Sequence, residues 1–354
     1  MTITINTSAL TAADKRQPIN RPDPVFEKLS GFGNSSQQTL IGMFDTGFSI
    51  TTPAVADNIW TNAVDAFNGA DDDRNGKTDD VNGWDFIEND GRVAAHQPTS
   101  PMGEHGTGTL SLATANSARI RAVLARGIGP QPTSPQTVVS ALAYLIEKGA
   151  RVVNISAGWY DPSYTRAVRK LMVAHPEVVF VMSAGNDFQE VGTRGRRNLE
   201  PDQFVAAQVL PNLVVVASSI GGEREIESNY SKRFVTVAAE VNVDAAETEG
   251  TYRRRESTSF ATPMVTNVIA KCLCLDPTLS PAQIKKLLIL SSVAKPVWRD
   301  LVEAGGVVAA PTALRLAFLN REKRKGAAAL TAAARQLGVG LAEQTRLLGL
   351  VAAL

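Results

Sequence analysis

The chain has 354 residues, 44% hydrophobic and 20% charged, with a formal net charge of +1. This is the composition of a soluble globular protein with a full core, long enough for one large α/β domain or two smaller ones. The near-zero charge argues against nucleic acid or an anionic membrane as partner.

Residues 1–38 are polar and punctuated by Pro18, Pro22, Pro24, Gly31 and Gly33, which reads as an arm with little core of its own. The start, Met1 to Asn6, shows no basic stretch followed by an apolar one. Apolar runs at 39–44, 120–125, 151–155, 177–183, 213–218 and 234–239 read as buried strands. Helical patterns fall at 106–116, 135–148 and 162–174, the last opened by Asp161 as cap and Pro162 at its first position. Another runs from Ser259 to about Leu275, and a further one follows the cap Ser280 with Pro281. The alternation predicts an α/β fold: a three-layer sandwich with a mostly parallel central sheet flanked by helices, over residues 39–318. Residues 319–354 read as a helical extension, a basic linker at 321–325 and then two short helices broken near Gly338–Gly340.

No apolar run approaches membrane-spanning length. Cys272 and Cys274, two apart on a helix, face different ways and read as reduced buried thiols, so the expected compartment is the cytoplasm.

Three small-residue frames carry the chemistry. Phe44-Asp45-Thr46-Gly47 ends an apolar strand, Glu104-His105-Gly106-Thr107-Gly108 opens a helix, and Glu256-Ser257-Thr258-Ser259-Phe260-Ala261-Thr262-Pro263 opens another. A serine is a poor nucleophile unless an imidazole takes its proton, and the imidazole needs a carboxylate to fix its tautomer. Asp45, His105 and Ser259 supply that trio. Free N–H groups at the Ser259 helix end favour a developing oxyanion, and Asn186, in Ser183-Ala184-Gly185-Asn186 after an apolar strand, offers a side-chain donor. Each frame alone is also an ordinary turn. His96 reads as a solvated loop residue and His175 as a helix end.

These segments resemble the subtilisin-like serine proteases, the subtilase family, from about Thr39 to Phe318. Besides the three frames, Val153-Asn154-Ile155-Ser156-Ala157-Gly158 is similar to the family's substrate strand, Ser228-Asn229-Tyr230 to its Ser-Asn-Tyr turn and Gly305 to Ala309 to its Gly-rich segment. The resemblance implies an endopeptidase: Ser259 attacks a peptide carbonyl, His105 shuttles the proton, Asp45 orients His105 and Asn186 donates to the oxyanion. Extended peptide would pair with Ser156, Ala157 and Gly158, with Ser183, Ala184 and Gly185 alongside. Three departures stand out: Ser257 where the family has Gly, Gly108 where it has a second His, and Glu240-Val241 where it has Pro-Gly. They keep open the alternative of a catalytically silent binding protein on the same fold.

Asp71, Asp73, Asn75, the Lys77 carbonyl and Asp79 alternate around Gly76, the first half of a Ca²⁺ loop, with Asn82 where the last Glu would stand. A structural calcium ion with no part in the chemistry is the expectation, and a plain acidic turn the competing one. Arg253-Arg254-Arg255 reads as a solvated loop, a self-cleavage site or a sensor for an acidic partner. Restraint of the enzyme is expected from the arm lying across the cleft, or from a regulatory partner or self-association through the extension.

Overall fold

The computed structural model describes residues 23–32, 37–95, 101–193, 205–248 and 250–354. Unbroken apolar runs become strands buried on both faces: β1 (Thr39–Asp45), β3 (Ile120–Arg126), β4 (Val152–Ile155), β5 (Val179–Ser183), β6 (Leu213–Ile220) and β8 (Val237–Glu240). With β2 (Gly83–Asp85), β11 (Val293–Ala294) and β12 (Gly306–Val307) they form one sheet in the order β11-β12-β8-β6-β5-β4-β1-β3-β2. All pairs along it are parallel except β11–β12, and β7 (Glu223–Arg224) adds antiparallel to β6. A separate hairpin pairs β9 (Val243–Ala246) with β10 (Tyr252–Arg255).

Side chains alternate between two cores, as the period of two requires. Ile41, Met43, Val179 and Val181 face α1 (Pro24–Gly31), α2 (Pro101–Ala113), α5 (Thr258–Leu275), α6 (Pro281–Ser291) and α7 (Ala310–Lys323). Phe44, Phe180 and Met182 face α3 (Pro135–Glu147) and α4 (Pro162–Ala174). The result is the expected three-layer α/β sandwich. Helices α1, α3, α4 and α6 all start the same way: Asp23, Ser134, Asp161 or Ser280 accepts a first-turn amide, and a proline follows at once. Helix α5 is long and apolar enough to cross a membrane, but 89% of it is buried inside the protein.

Two regions differ from expectation. Residues 24–31 are not a coreless arm. The Asp23 cap and Pro24 start a helix that buries Phe26 and Leu29, and Asp23 pairs with Lys271 of α5 at 3.2 Å. This places the segment three turns along α5 from Ser259, about 18 Å away. Residues 1–22, the rest of the arm, lie outside the described residues. The basic stretch 321–325 is not a free linker either, because α7 runs into it as far as Lys323. Arg324 holds the buried Asp276 carboxylate by two hydrogen bonds of 2.6 and 2.8 Å. Beyond it, α8 (Ala327–Gln336) and α9 (Leu341–Ala353) break at Leu337–Gly340 and bury Ala333, Ala334, Leu337, Leu347 and Val351 in the main core.

Candidate active site

Strand β1 lies between β4 and β3, where the chain reverses its direction of winding, and Asp45 is its last residue. In open α/β sheets this carboxyl-edge crevice is where ligands bind. The Asp45 carboxylate is fully buried and satisfied by three donors: its Oδ1 accepts the Thr46 N–H at 2.8 Å and His105 Nδ1 at 2.7 Å, and its Oδ2 accepts Thr109 Oγ1 at 2.9 Å. Because a carboxylate can only accept, Nδ1 carries the proton and Nε2 is left as the base. Burial of the ring opposes its protonation, but the charge and hydrogen bond of Asp45 outweigh this and the smaller opposition of Arg255, so the His105 pKa is raised.

Helix α2 begins at Pro101, so His105 sits one turn inside it rather than opening it. Glycine at 106 is what lets that turn approach β1, since an added Cβ would lie 2.2 Å from the Gly47 carbonyl oxygen. Helix α5 brings Ser259 to the same place. The ring of Phe260, the next residue, is 5.3 Å from that of His105.

Pro263 has no N–H, so the Ser259 carbonyl loses its partner within the helix. Ser156 Oγ donates to it instead at 2.7 Å, while Ser259 Oγ donates to the Ser156 carbonyl at 3.4 Å. Behind this reciprocal pair, Asn154 Nδ2 donates to Ser156 Oγ at 3.0 Å and Thr266 Oγ1 donates to Asn154 Oδ1 at 2.9 Å. Ser257 is extended, with φ −178° and ψ 167°, a conformation any residue adopts, so the departure from glycine costs no backbone strain. Glu240, another departure, accepts hydrogen bonds from Ser219 Oγ and the Gly221 and Gly222 amides.

Asn186 follows β5. Its Oδ1 accepts the Thr258 N–H at 3.0 Å and Thr258 Oγ1 at 2.8 Å, which fixes the amide beside the α5 N-terminus and leaves its Nδ2 hydrogens for a ligand. The preceding Gly185 has φ +98°, and a Cβ there would fall 2.6 Å from Asn229 Nδ2. Asn229, fully buried, braces the turn: its Oδ1 accepts the Asp187 and Gln189 amides, and its Nδ2 donates to the Ala184 carbonyl at 3.1 Å. Ser183 Oγ reaches the Ala157 carbonyl at 3.1 Å, and Ala184 N–H continues the ladder to Val216. Residues Ser156 to Gly158 run past the end of β4 with no strand partner among the described residues, and Gly158 is exposed. Trp159 turns inward, stacked on Tyr164 at 5.8 Å, whereas the Tyr160 hydroxyl bonds Asp187.

The structure thus gathers Asp45, His105, Ser259, Asn186 and both flanking segments at one crevice. Sequence reasoning did not single out Thr109, Thr266 or the bracing role of Asn229. The available signal was polar residues set inside otherwise apolar elements. His175 caps α4 beside Glu177 at 3.1 Å, and His96 lies outside the described residues.

The acidic loop is arranged differently. Asp71 accepts the Asn75 and Gly76 amides, at 3.0 and 2.8 Å, and Asp79 accepts those of Asn68 and Gly69. The Lys148 ammonium sits on Asp73 at 3.0 Å and on the buried Asp80 at 2.8 Å. Against the cost of burial, bonds from Asn62 and Lys148 hold the Asp73 carboxyl down to about 2. The Lys77 side chain lies over the Trp84, Phe86 and Tyr144 rings. Among the described residues no three acid, histidine or cysteine side chains converge as a metal-binding group. Of the expected calcium donors, Asp71 and Asp79 accept turn amides and Asp73 holds the Lys148 ammonium, while Asn75 donates through Nδ2 to Asp80 at 3.0 Å.

The His105 imidazole is thus clasped by a buried carboxylate and packed against Phe260, the residue after Ser259. A profile of the subtilase family matches residues 36–339, and the chain belongs to that family. Subtilisin-like protease 1 of Plasmodium berghei (strain Anka) is 26% identical over 306 residues, 78% of this chain and 49% of the relative. The chain thus spans about half the length of the curated relatives it matches. Among solved structures, one described as the structural basis of subtilase cytotoxin SubAB assembly superposes with a TM-score of 0.65 at 17% identity, over 85% of this chain and 94% of that one. A lanthipeptide protease superposes with a TM-score of 0.62 at 17% identity, over 81% and 91%.

Proposed function

We propose that the protein is a serine endopeptidase working through Asp45, His105 and Ser259. The observation that carries this reading is the 2.7 Å bond from His105 Nδ1 to a fully buried Asp45, made beside the α5 end that bears Ser259. Extended peptide adds as a strand along Ser156–Gly158, whose backbone has no ladder partner among the described residues. Ser259 Oγ leaves the Ser156 carbonyl, gives its proton to His105 Nε2 and attacks the scissile carbonyl. The resulting oxyanion is met by Asn186 Nδ2 and the Ser259 N–H at the helix end. His105 then passes the proton to the leaving amine, and water reverses the sequence to free the acyl group.

The buried, unbridged thiols of Cys272 and Cys274 support a reducing, cytoplasmic setting. Restraint by residues 1–22 has support in reach alone. Anchored at Asp23, 22 extended residues span up to about 70 Å, against the roughly 18 Å between Lys271 and Ser259.

Labelling with a fluorophosphonate, followed by mapping of the modified residue, tests the peptidase reading. Modification of Ser259 that vanishes in Ser259→Ala is the expected result. Folded protein that never labels, even after removal of residues 1–22, would instead speak for a silent binding protein.

A further inference from the structure

We propose that Arg255 is the positioning residue that sets His105 against Ser259, an inference that rests on the peptidase reading above. Arg255 ends β10, four residues before the serine. Its guanidinium is 15% exposed and bridges two carboxylates, Glu104 at 3.4 Å and Glu247 at 3.5 Å. It also lies 5.4 Å over the ring of Phe260. Glu104 is the residue before His105, and Phe260 is the residue after Ser259. One side chain therefore grips the immediate neighbours of both reacting groups.

Phe260 is the shared wedge. Its ring meets His105 on one side, and Gly108 gives it room, since a Cβ at 108 would stand 3.1 Å from Phe260 Cε1. Arg255 on the ring face presses the wedge into that slot, and its bond to Glu104 ties the first turn of α2 to the hairpin leading into α5. The contacts are long and Arg255 Nε is buried without an acceptor, so the hold is by charge and stacking rather than by a saturated fork. Displacing a base from its nucleophile by about an ångström costs on the order of a hundredfold in rate.

Among the described residues, the charges around the pair are few. His105 faces the Asp45 carboxylate from β1 and the Arg255 guanidinium from β10. Arg255 in turn faces Glu104 from α2 and Glu247 from the hairpin turn, and Glu247 also holds Arg253 at 2.6 Å. The Glu104 pKa is raised, by burial first and by Glu247 second. Arg255 opposes the imidazolium, so removing it lets His105 keep its proton to higher pH.

The experiment follows the fluorophosphonate labelling rate against pH for wild type, Arg255→Gln and Arg255→Lys, and the NMR titration of His105 in the Ser259→Ala protein with and without Arg255→Gln. Arg255→Gln should label at least about tenfold more slowly, with its acid limb moved to higher pH and the His105 titration moved with it. Arg255→Lys should keep the limb in place yet not restore the rate, because an ammonium cannot bridge both carboxylates while lying flat on a ring. If Arg255→Gln fails to fold, full activity in Arg255→Lys overturns the proposal and a slow variant with an unmoved limb supports it. An unchanged rate in Arg255→Gln, or a lower rate with limb and titration both unmoved, also overturns it. If the protein does not label even after removal of residues 1–22, the peptidase reading falls while the His105 titration still decides on Arg255.

Discussion

At the carboxyl end of β1 and in the loop around residues 62–80 the chain gathers acids in polar, glycine-punctuated sequence, and the two regions treat them in opposite ways. At Asp45 one carboxylate collects three donors, and one of these, His105, keeps a second nitrogen unspent. In the loop two carboxylates, Asp73 and Asp80, share one ammonium, and Asp71 accepts amides of its own turn. The first arrangement leaves a proton acceptor facing a crevice. The second closes on itself. Reactivity here follows from what a hydrogen-bond network leaves unsatisfied rather than from the number of acids in it.

The largest effect should come from breaking the open network. Asp45→Asn keeps the shape of the site but favours the wrong tautomer of His105, and a loss of about 10⁴ in labelling rate is expected. The wild-type rate should also fall as pH drops through the raised pKa of His105, since only the neutral ring is a base. Stability runs the other way. The charged pair stabilises the fold fully below the ordinary histidine value of 6.5 and loses that contribution as pH rises through the raised one. Paired pH series of labelling rate and Tm check this, and parallel trends would contradict it.

The closed network should matter to stability alone. Lys148→Ala strands the buried Asp80 and the partly buried Asp73, which should cost about 3–5 kcal/mol and leave the labelling rate of the folded protein unchanged. Calcium and a chelator should leave Tm where it is. A Tm that rises with calcium would show that the ion displaces Lys148 and that the contrast between the two regions is false.

The open region was legible in sequence because its chemistry is carried by short frames. A strand end, a helix start and a turn fix Asp45, His105 and Asn186 locally, and the parallel sheet brings those ends together. The ion pairs of the loop are not legible in sequence, because Lys148 comes from the end of α3, far along the chain, and spacing within 71–80 contains no trace of it. The same limit hid Thr109 and Thr266, whose partners Asp45 and Asn154 lie on other elements. Residues 24–31 were missed for the opposite reason: their cap and proline were local signals, read as punctuation rather than as a helix start.

Asn186→Ala sharpens the contrast, since it removes the Nδ2 donor together with an Oδ1 that accepts from Thr258 in the resting fold. A loss of about 10²–10³ in kcat with little change in KM is expected. If KM rises instead while kcat holds, Asn186 binds the peptide in its ground state and the oxyanion assignment is wrong.

Ser156→Ala should have the smallest effect, yet it bears on both halves of the comparison. Its hydroxyl answers the Ser259 carbonyl that Pro263 leaves without a helix partner, so it serves structure on one side and the proposed nucleophile on the other. Losing that bond should cost about 1–3 kcal/mol of stability, the penalty for a buried acceptor left unpaired. The Ser156 backbone carbonyl that receives Ser259 Oγ survives the change, so the labelling rate should fall much less than in Asn186→Ala. A rate loss as large as that of Asn186→Ala would mean that the Ser259 carbonyl bond, rather than the helix itself, holds the nucleophile in register. The chain Thr266–Asn154–Ser156 would then belong with the open network rather than the closed one.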